Sequence, residues 1–145
     1  MKIGADIALQ TRIDSTPEAV YRAISTADGV AGWFTTGAEI GEGVGALHRL
    51  SFPDAPMTWD FRIDQAEPGK RLAQTVIAGP PQWVGTELLY ALEAHPEGGT
   101  LVRFDHTGFT EIDDMFREVT MGWAGMFMRL KEYVETGKPV PHFTV

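Results

Sequence analysis

The last third of the chain constrains the fold most. Between Ile112 and Val134, ten apolar side chains recur at intervals of three and four: Ile112, Met115, Phe116, Val119, Trp123, Met126, Phe127, Leu130, Tyr133 and Val134. At about 100° per residue they fall within an arc of about 120°, one broad apolar stripe on one helix. Thr110-Glu111-Ile112-Asp113 reads as a capping box at its start, and Gly137-Lys138-Pro139 as its stop. The spacing predicts roughly 26 residues of helix, about 39 Å at 1.5 Å per residue, long enough to cross a whole sheet. A stripe that wide requires an apolar surface of matching length.

The preceding sequence supplies one. Ile3, Ala5, Ile7, Leu9, Thr11 and Ile13 share one parity and predict a strand. Ser15-Thr16-Pro17-Glu18 then starts a short helix carrying Val20, Tyr21 and Ile24, and a second short helix follows Asp28 with Val30, Trp33 and Phe34. From Gly37 to Gly108 the texture is strand and turn. Strands are predicted at Ala46 to Phe52, Met57 to Asp64, Arg71 to Ile77, Trp83 to Ala94 and Thr100 to Thr107, joined by short Gly- and Pro-rich turns. Short turns between successive strands imply antiparallel pairing. The expected architecture is α+β: a curved antiparallel sheet of six to seven strands wrapped around the long C-terminal helix, with two short helices after the first strand. At 145 residues, with 43% hydrophobic side chains, the whole of 1–145 reads as one domain.

Several function classes are excluded early. Twelve Lys and Arg against 20 Asp and Glu leave a net charge of −8, which disfavours nucleic acid and anionic membrane surfaces as partners. With no cysteine there is no disulfide, thiolate nucleophile or Cys-based metal site, and no pair of histidines has metal-ligand spacing. Gly41-x-Gly43-x-Gly45 is followed by a strand, so it reads as a turn and not as a phosphate loop. No apolar run reaches the ~18 residues of a spanning helix, and the chain reads as soluble and cytoplasmic.

Alternation selects the side chains that face the helix: His48, Leu50 and Phe52, then Trp59, Phe61 and Ile63, then Leu72, Gln74 and Val76. The last two strands add Thr86, Leu88, Tyr90 and Leu92, then Val102, Phe104 and His106. One sheet and one helix leave a groove incompletely filled, so a cavity is expected between them. Its predicted lining is Trp59, Phe61, Trp83 and Phe104 from the sheet, with Val119, Trp123, Met126 and Phe127 from the helix. His48, Gln74, Tyr90 and His106 would orient the polar end of a ligand. Few polar groups among aromatics is how small-molecule sites look. Gly122 lies at the edge of the stripe, where a missing side chain widens the space. Met121 and Met128 fall on the opposite face, which suits a homodimer or partner surface, although single exposed apolars are common.

The order of elements resembles the START-like helix-grip superfamily (SRPBCC), and within it the branch named after the C-terminal domain of the heat-shock-protein-90 ATPase activator. The resemblance is carried by Ile13-Asp14-Ser15-Thr16-Pro17-Glu18-Ala19-Val20-Tyr21, Trp33-Phe34, Glu67-Pro68-Gly69-Lys70-Arg71-Leu72, Gly99-Thr100, Gly122-Trp123 and Leu130 to Gly137. It spans roughly residues 7 to 137. The inward positions above match those of the family, except that His48 and Gln74 stand where apolar residues are usual. The superfamily hosts carriers, cyclases, hydrolases and co-chaperones, so the resemblance implies architecture more than activity.

The reading that follows is a small-molecule binding protein for a hydrophobic or amphipathic ligand, without a tightly bound cofactor or metal. A cyclase- or hydrolase-type enzyme using His48 or His106 as base is the alternative, but no carboxylate or nucleophile can be placed beside either. A chaperone-activating module is a third. The activator naming the branch has an additional N-terminal domain, and here the first strand begins almost at Met1, so a chaperone partner is not expected.

Overall fold

The computed structural model describes residues 4–145; Ile3, which alternation joins to the first strand, lies outside them. The order of elements is β1 (Ala5–Ile13), α1 (Pro17–Ser25), α2 (Ala27–Trp33), β2 (Gly37–Ile40), β3 (Leu47–Ser51), β4 (Trp59–Glu67), β5 (Arg71–Ala78), β6 (Glu87–Ala94), β7 (Thr100–Phe109) and α3 (Asp114–Thr136). Seven strands form one antiparallel sheet in the order β1-β7-β6-β5-β4-β3-β2. From β2 to β7 each strand lies beside its sequence neighbour. Only β1 is displaced, because α1 and α2 carry the chain from one sheet edge to the other.

Both short helices are capped by threonine. Thr16 Oγ1 accepts from the Ala19 N–H at 3.1 Å, and Thr26 Oγ1 from the Gly29 N–H at 3.0 Å. Gly29 is required where α2 folds back on α1: a Cβ there would strike the Arg22 carbonyl oxygen and lie 2.7 Å from Ala23 Cα. The pairing of β4 with β5 shifts register at Asp60/Phe61 and again at Ile63/Gln65, and such bulges bend a sheet. On the inner face α3 packs against β6 and β7. Phe104 meets Trp123 at 4.6 Å and Phe127 at 4.9 Å between ring centres.

Three sequence expectations shift at their ends. The final helix has 23 residues, not 26, because Asp113 is its cap: the carboxylate accepts from the Phe116 N–H at 2.8 Å. Ile112 therefore precedes the helix and is 62% exposed rather than part of the stripe. Strand β4 begins at Trp59, opposite Leu50, and Met57 finds no partner because β3 ends at Ser51; its side chain is 51% exposed. Strand β6 begins at Glu87, and Trp83 sits in the preceding turn. There the Trp83 N–H bonds Pro80 O and the Trp83 carbonyl accepts from the Thr86 N–H, both at 2.9 Å, which takes both groups out of any ladder.

After α3 the chain returns across α2. The Val140, His142 and Phe143 amides donate to the carbonyls of Gly32, Trp33 and Phe34 at 2.7, 3.1 and 2.9 Å. This brings Phe143 edge-on to Phe52, 5.0 Å between ring centres.

Candidate functional site

The inward faces assigned from alternation are buried, with Trp59 only partly so. They do not leave the groove open along its length. Its middle is filled by Phe61, Leu72, Phe104, Trp123 and Leu130, each no more than 2% exposed. Space remains at one end, beside the first turns of α3. There an apolar recess of about 320 Å³ is walled by Phe34, Phe52, Trp59, Trp83, Val119, Gly122, Trp123, Met126 and Phe143, with Pro53, Ala55 and Met115. The exposed Glu118 adjoins it. Larger depressions of about 490 and 540 Å³ elsewhere are lined largely by charged and polar residues such as Asp64, Glu87 and Asp105, or Glu18, Glu67 and Lys70. Of these three depressions among the described residues, the apolar recess takes the most apolar ligand surface out of water, at about 25 cal/mol per Å².

Of the residues picked from sequence, Trp59, Trp83, Val119, Trp123 and Met126 line this recess. Phe61, Tyr90, Phe104 and Phe127 do not; they are buried core. Nor do the polar candidates His48, Gln74 and His106, whose hydrogen bonds are to one another and to other core groups. The walls Phe34, Phe52, Met115 and Phe143, with Pro53 and Ala55, were not among the site residues picked from sequence. Phe34 and Phe52 were placed in apolar segments and Met115 on the stripe, with nothing to distinguish recess from core. Phe143 follows a proline-interrupted tail with no periodicity. Gly122 had its signal: an absent side chain at the edge of the stripe. A Cβ built there meets nothing within 4 Å.

The buried polar groups form two units. Gln74 Nε2 lies 2.9 Å from His48 Nδ1. With the amide donating to Nδ1, the neutral ring carries its proton on Nε2, which is buried and has no partner among the described residues. The second unit is a relay. Trp123 Nε1–H donates to His106 Nδ1 at 3.0 Å, His106 Nε2–H donates to Thr86 Oγ1 at 2.8 Å, and the Thr86 hydroxyl donates to the Trp83 carbonyl at 2.6 Å. Because the indole and hydroxyl fix the direction, only one tautomer of His106 uses all these groups. The relay ties α3 to β7 and to the turn that presents Trp83, whose ring stands edge-on to His106 at 4.7 Å.

Burial pushes His48 down to about 4 and His106 down to about 3, so both rings are neutral near pH 7. Neither is hydrogen-bonded to a carboxylate, and neither lines the recess. Chemically the recess offers aromatic walls and one carboxylate at Glu118; the Trp83 Nε1, which has no partner among the described residues, is itself buried.

Among the described residues no helix is long and apolar enough to cross a membrane. No curated protein is significantly similar to the chain. The chain is similar to the solution structure of the Aha1 dimer from Colwellia psychrerythraea, with 31% identity over 92% of this chain and 98% of that one and a TM-score of 0.84. It also superposes on protein SSP2350 from Staphylococcus saprophyticus (20% identity, 97% and 98% covered, TM-score 0.77) and on protein BH1534 from Bacillus halodurans (22% identity, 93% and 100% covered, TM-score 0.76). These last two likenesses are of fold alone. The family model described as "Activator of Hsp90 ATPase homolog 1-like protein" matches residues 14–135, and the chain thus belongs to that family, within the START-like helix-grip superfamily.

Proposed function

We propose that this protein binds a small hydrophobic or amphipathic molecule in the recess between α3 and the sheet, and does so in the cytoplasm. The observation that carries this reading is the unfilled, aromatic-walled space at Gly122, the one helix position facing the recess that has no side chain. A helix interior glycine costs about 1 kcal/mol against better helix formers, so its presence fits a space kept open. Catalysis fits less well, because both buried imidazoles lie behind the walls.

Gly122→Leu is the test. The new side chain grows into the recess and improves helix propensity, so the unliganded variant is expected to melt about 2–4 °C higher than wild type. Wild type screened with lipids and aromatic compounds is expected to gain about 2.7 kcal/mol at a hundredfold excess over Kd, and the variant nothing. A ligand shift preserved in Gly122→Leu places the site elsewhere.

A homodimer is the second feature we propose. The relative from Colwellia psychrerythraea is described as a dimer, and Met121 and Met128 are 75% and 56% exposed on the outer face of α3. Light scattering at micromolar concentration is expected to give twice the chain mass, falling to one in Met121→Glu/Met128→Glu. A wild-type monomer overturns this reading.

A further inference from the structure

We infer that the occupant of the recess is an amphiphilic cation: an apolar body that enters beside Gly122, joined to an ammonium group that stays at the mouth against Glu118. This rests on the binding reading above and narrows it to a ligand class. Met115, Glu118, Val119, Gly122 and Met126 recur at three and four along α3 and share its recess-facing side. Glu118 stands one turn before Gly122, where the missing side chain leaves the space, about 6 Å away along the helix axis. Among the described residues its carboxylate is in no ion pair, whereas Asp60, Asp64, Glu93 and Glu135 each have an arginine or lysine partner.

The surrounding cations are turned elsewhere. Among the described residues no lysine or arginine lines the recess. Arg117 is exposed and about 100° round the helix from Glu118. Arg129, beyond Met126, donates to the carbonyls of Val140 and Pro141 at 2.8 and 3.1 Å. His142, next to the wall residue Phe143, is held below its usual pKa by partial burial and by Arg129, so its ring is neutral near pH 7. Asp54, between the wall residues Pro53 and Ala55 in the chain, is exposed and acidic. Because Glu118 is exposed, an ammonium beside it keeps most of its water and escapes the desolvation cost of a buried ion. An anionic head at the same place would meet a like charge. The volume of about 320 Å³ is about twice the ~150 Å³ that holds one benzene ring, which suits an apolar body of roughly two rings.

Three probes of similar size decide it by titration calorimetry at pH 7 and low salt: naphthylmethylamine (cationic), naphthylmethanol (neutral) and naphthylacetate (anionic). Wild type is expected to bind the amine about three- to fivefold tighter than the alcohol, and naphthylacetate weakest. Glu118→Gln keeps the shape of an exposed side chain and removes its charge, so the amine preference is expected to fall to about one while the alcohol binds as before. The chain carries a net charge of −8, which favours any cation. Glu87→Gln, an equal change of charge in a different depression, is therefore expected to leave the preference in place. Equal binding of amine and alcohol by wild type, a preference unmoved by Glu118→Gln or lowered as much by Glu87→Gln, or naphthylacetate binding tightest each overturns the inference and leaves the recess as a binding site. If none of the three probes binds, or if Gly122→Leu still binds them, the binding reading fails and the inference with it.

Discussion

Between pH 8 and pH 5 the protein is expected to lose about 4 kcal/mol of folding stability through His48 and His106 alone. Burial holds their pKa values near 4 and near 3 in the folded state, against 6.5 when exposed. The folded values are lowered, so at pH below 6.5 the unfolded chain binds more protons than the folded one. The stabilising difference is whole above pH 6.5 and drains as the pH falls toward the folded values. At pH 5 each ring accounts for about 2 kcal/mol, and below both folded values the full shifts amount to about 3 and about 5 kcal/mol. For a domain with a total of 5–15 kcal/mol this is a large share. His106 has a geometric reason beyond burial: a proton on Nδ1 would face the Trp123 indole N–H, donor against donor. Urea midpoints measured from pH 8 to pH 5 give the slope. In His48→Leu/Gln74→Leu, which removes both members of one buried pair, the loss is expected to halve; an unchanged loss would exclude His48 as its source.

Trp123→Ala is expected to cost about 4–6 kcal/mol, enough to leave much of the protein unfolded at 37 °C. Truncating a buried Trp costs about 3–5 kcal/mol in packing, and His106 would in addition keep an unpaired buried acceptor. Trp123 is fully buried and meets Phe34, Phe104, Trp83 and Phe127 at 5.4, 4.6, 6.2 and 6.2 Å. Trp59→Ala, at a partly exposed wall, is expected to cost only about 1–2 kcal/mol. Guanidinium unfolding ranks the two; equal costs would mean that Trp123 does not organise the contact between helix and sheet.

The architecture was legible because two periodicities, of two and of 3.6, run almost uninterrupted along the chain. They placed α3 and the inward faces of β3 to β7 without any partner information. Element ends were less readable, because they are set by which backbone groups find partners. Asp113 outcompetes Thr110 as cap, and Trp83 is turned out of its strand by the bonds to Pro80 and Thr86. The recess was half legible for a related reason. Alternation reports which way a side chain points, not whether its neighbour reaches it, so Phe104 and Trp59 look alike in sequence although one is core and the other wall. Phe143 reaches the recess only through main-chain bonds of a tail with no period. The polar set had the right residues on the right face, but whether His48 and His106 meet a ligand or each other's surroundings depends on distances of about 3 Å that no spacing encodes.

The distribution of the four tryptophans has a practical consequence. Trp59, Trp83 and Trp123 border the recess, whereas Trp33 is sequestered on the α1–α2 side with its indole bonded to Ala23. The protein thus carries its own optical reporter: three emitters would feel quenching or a spectral shift from an arriving guest, against a fourth that stays constant, with no dye attached.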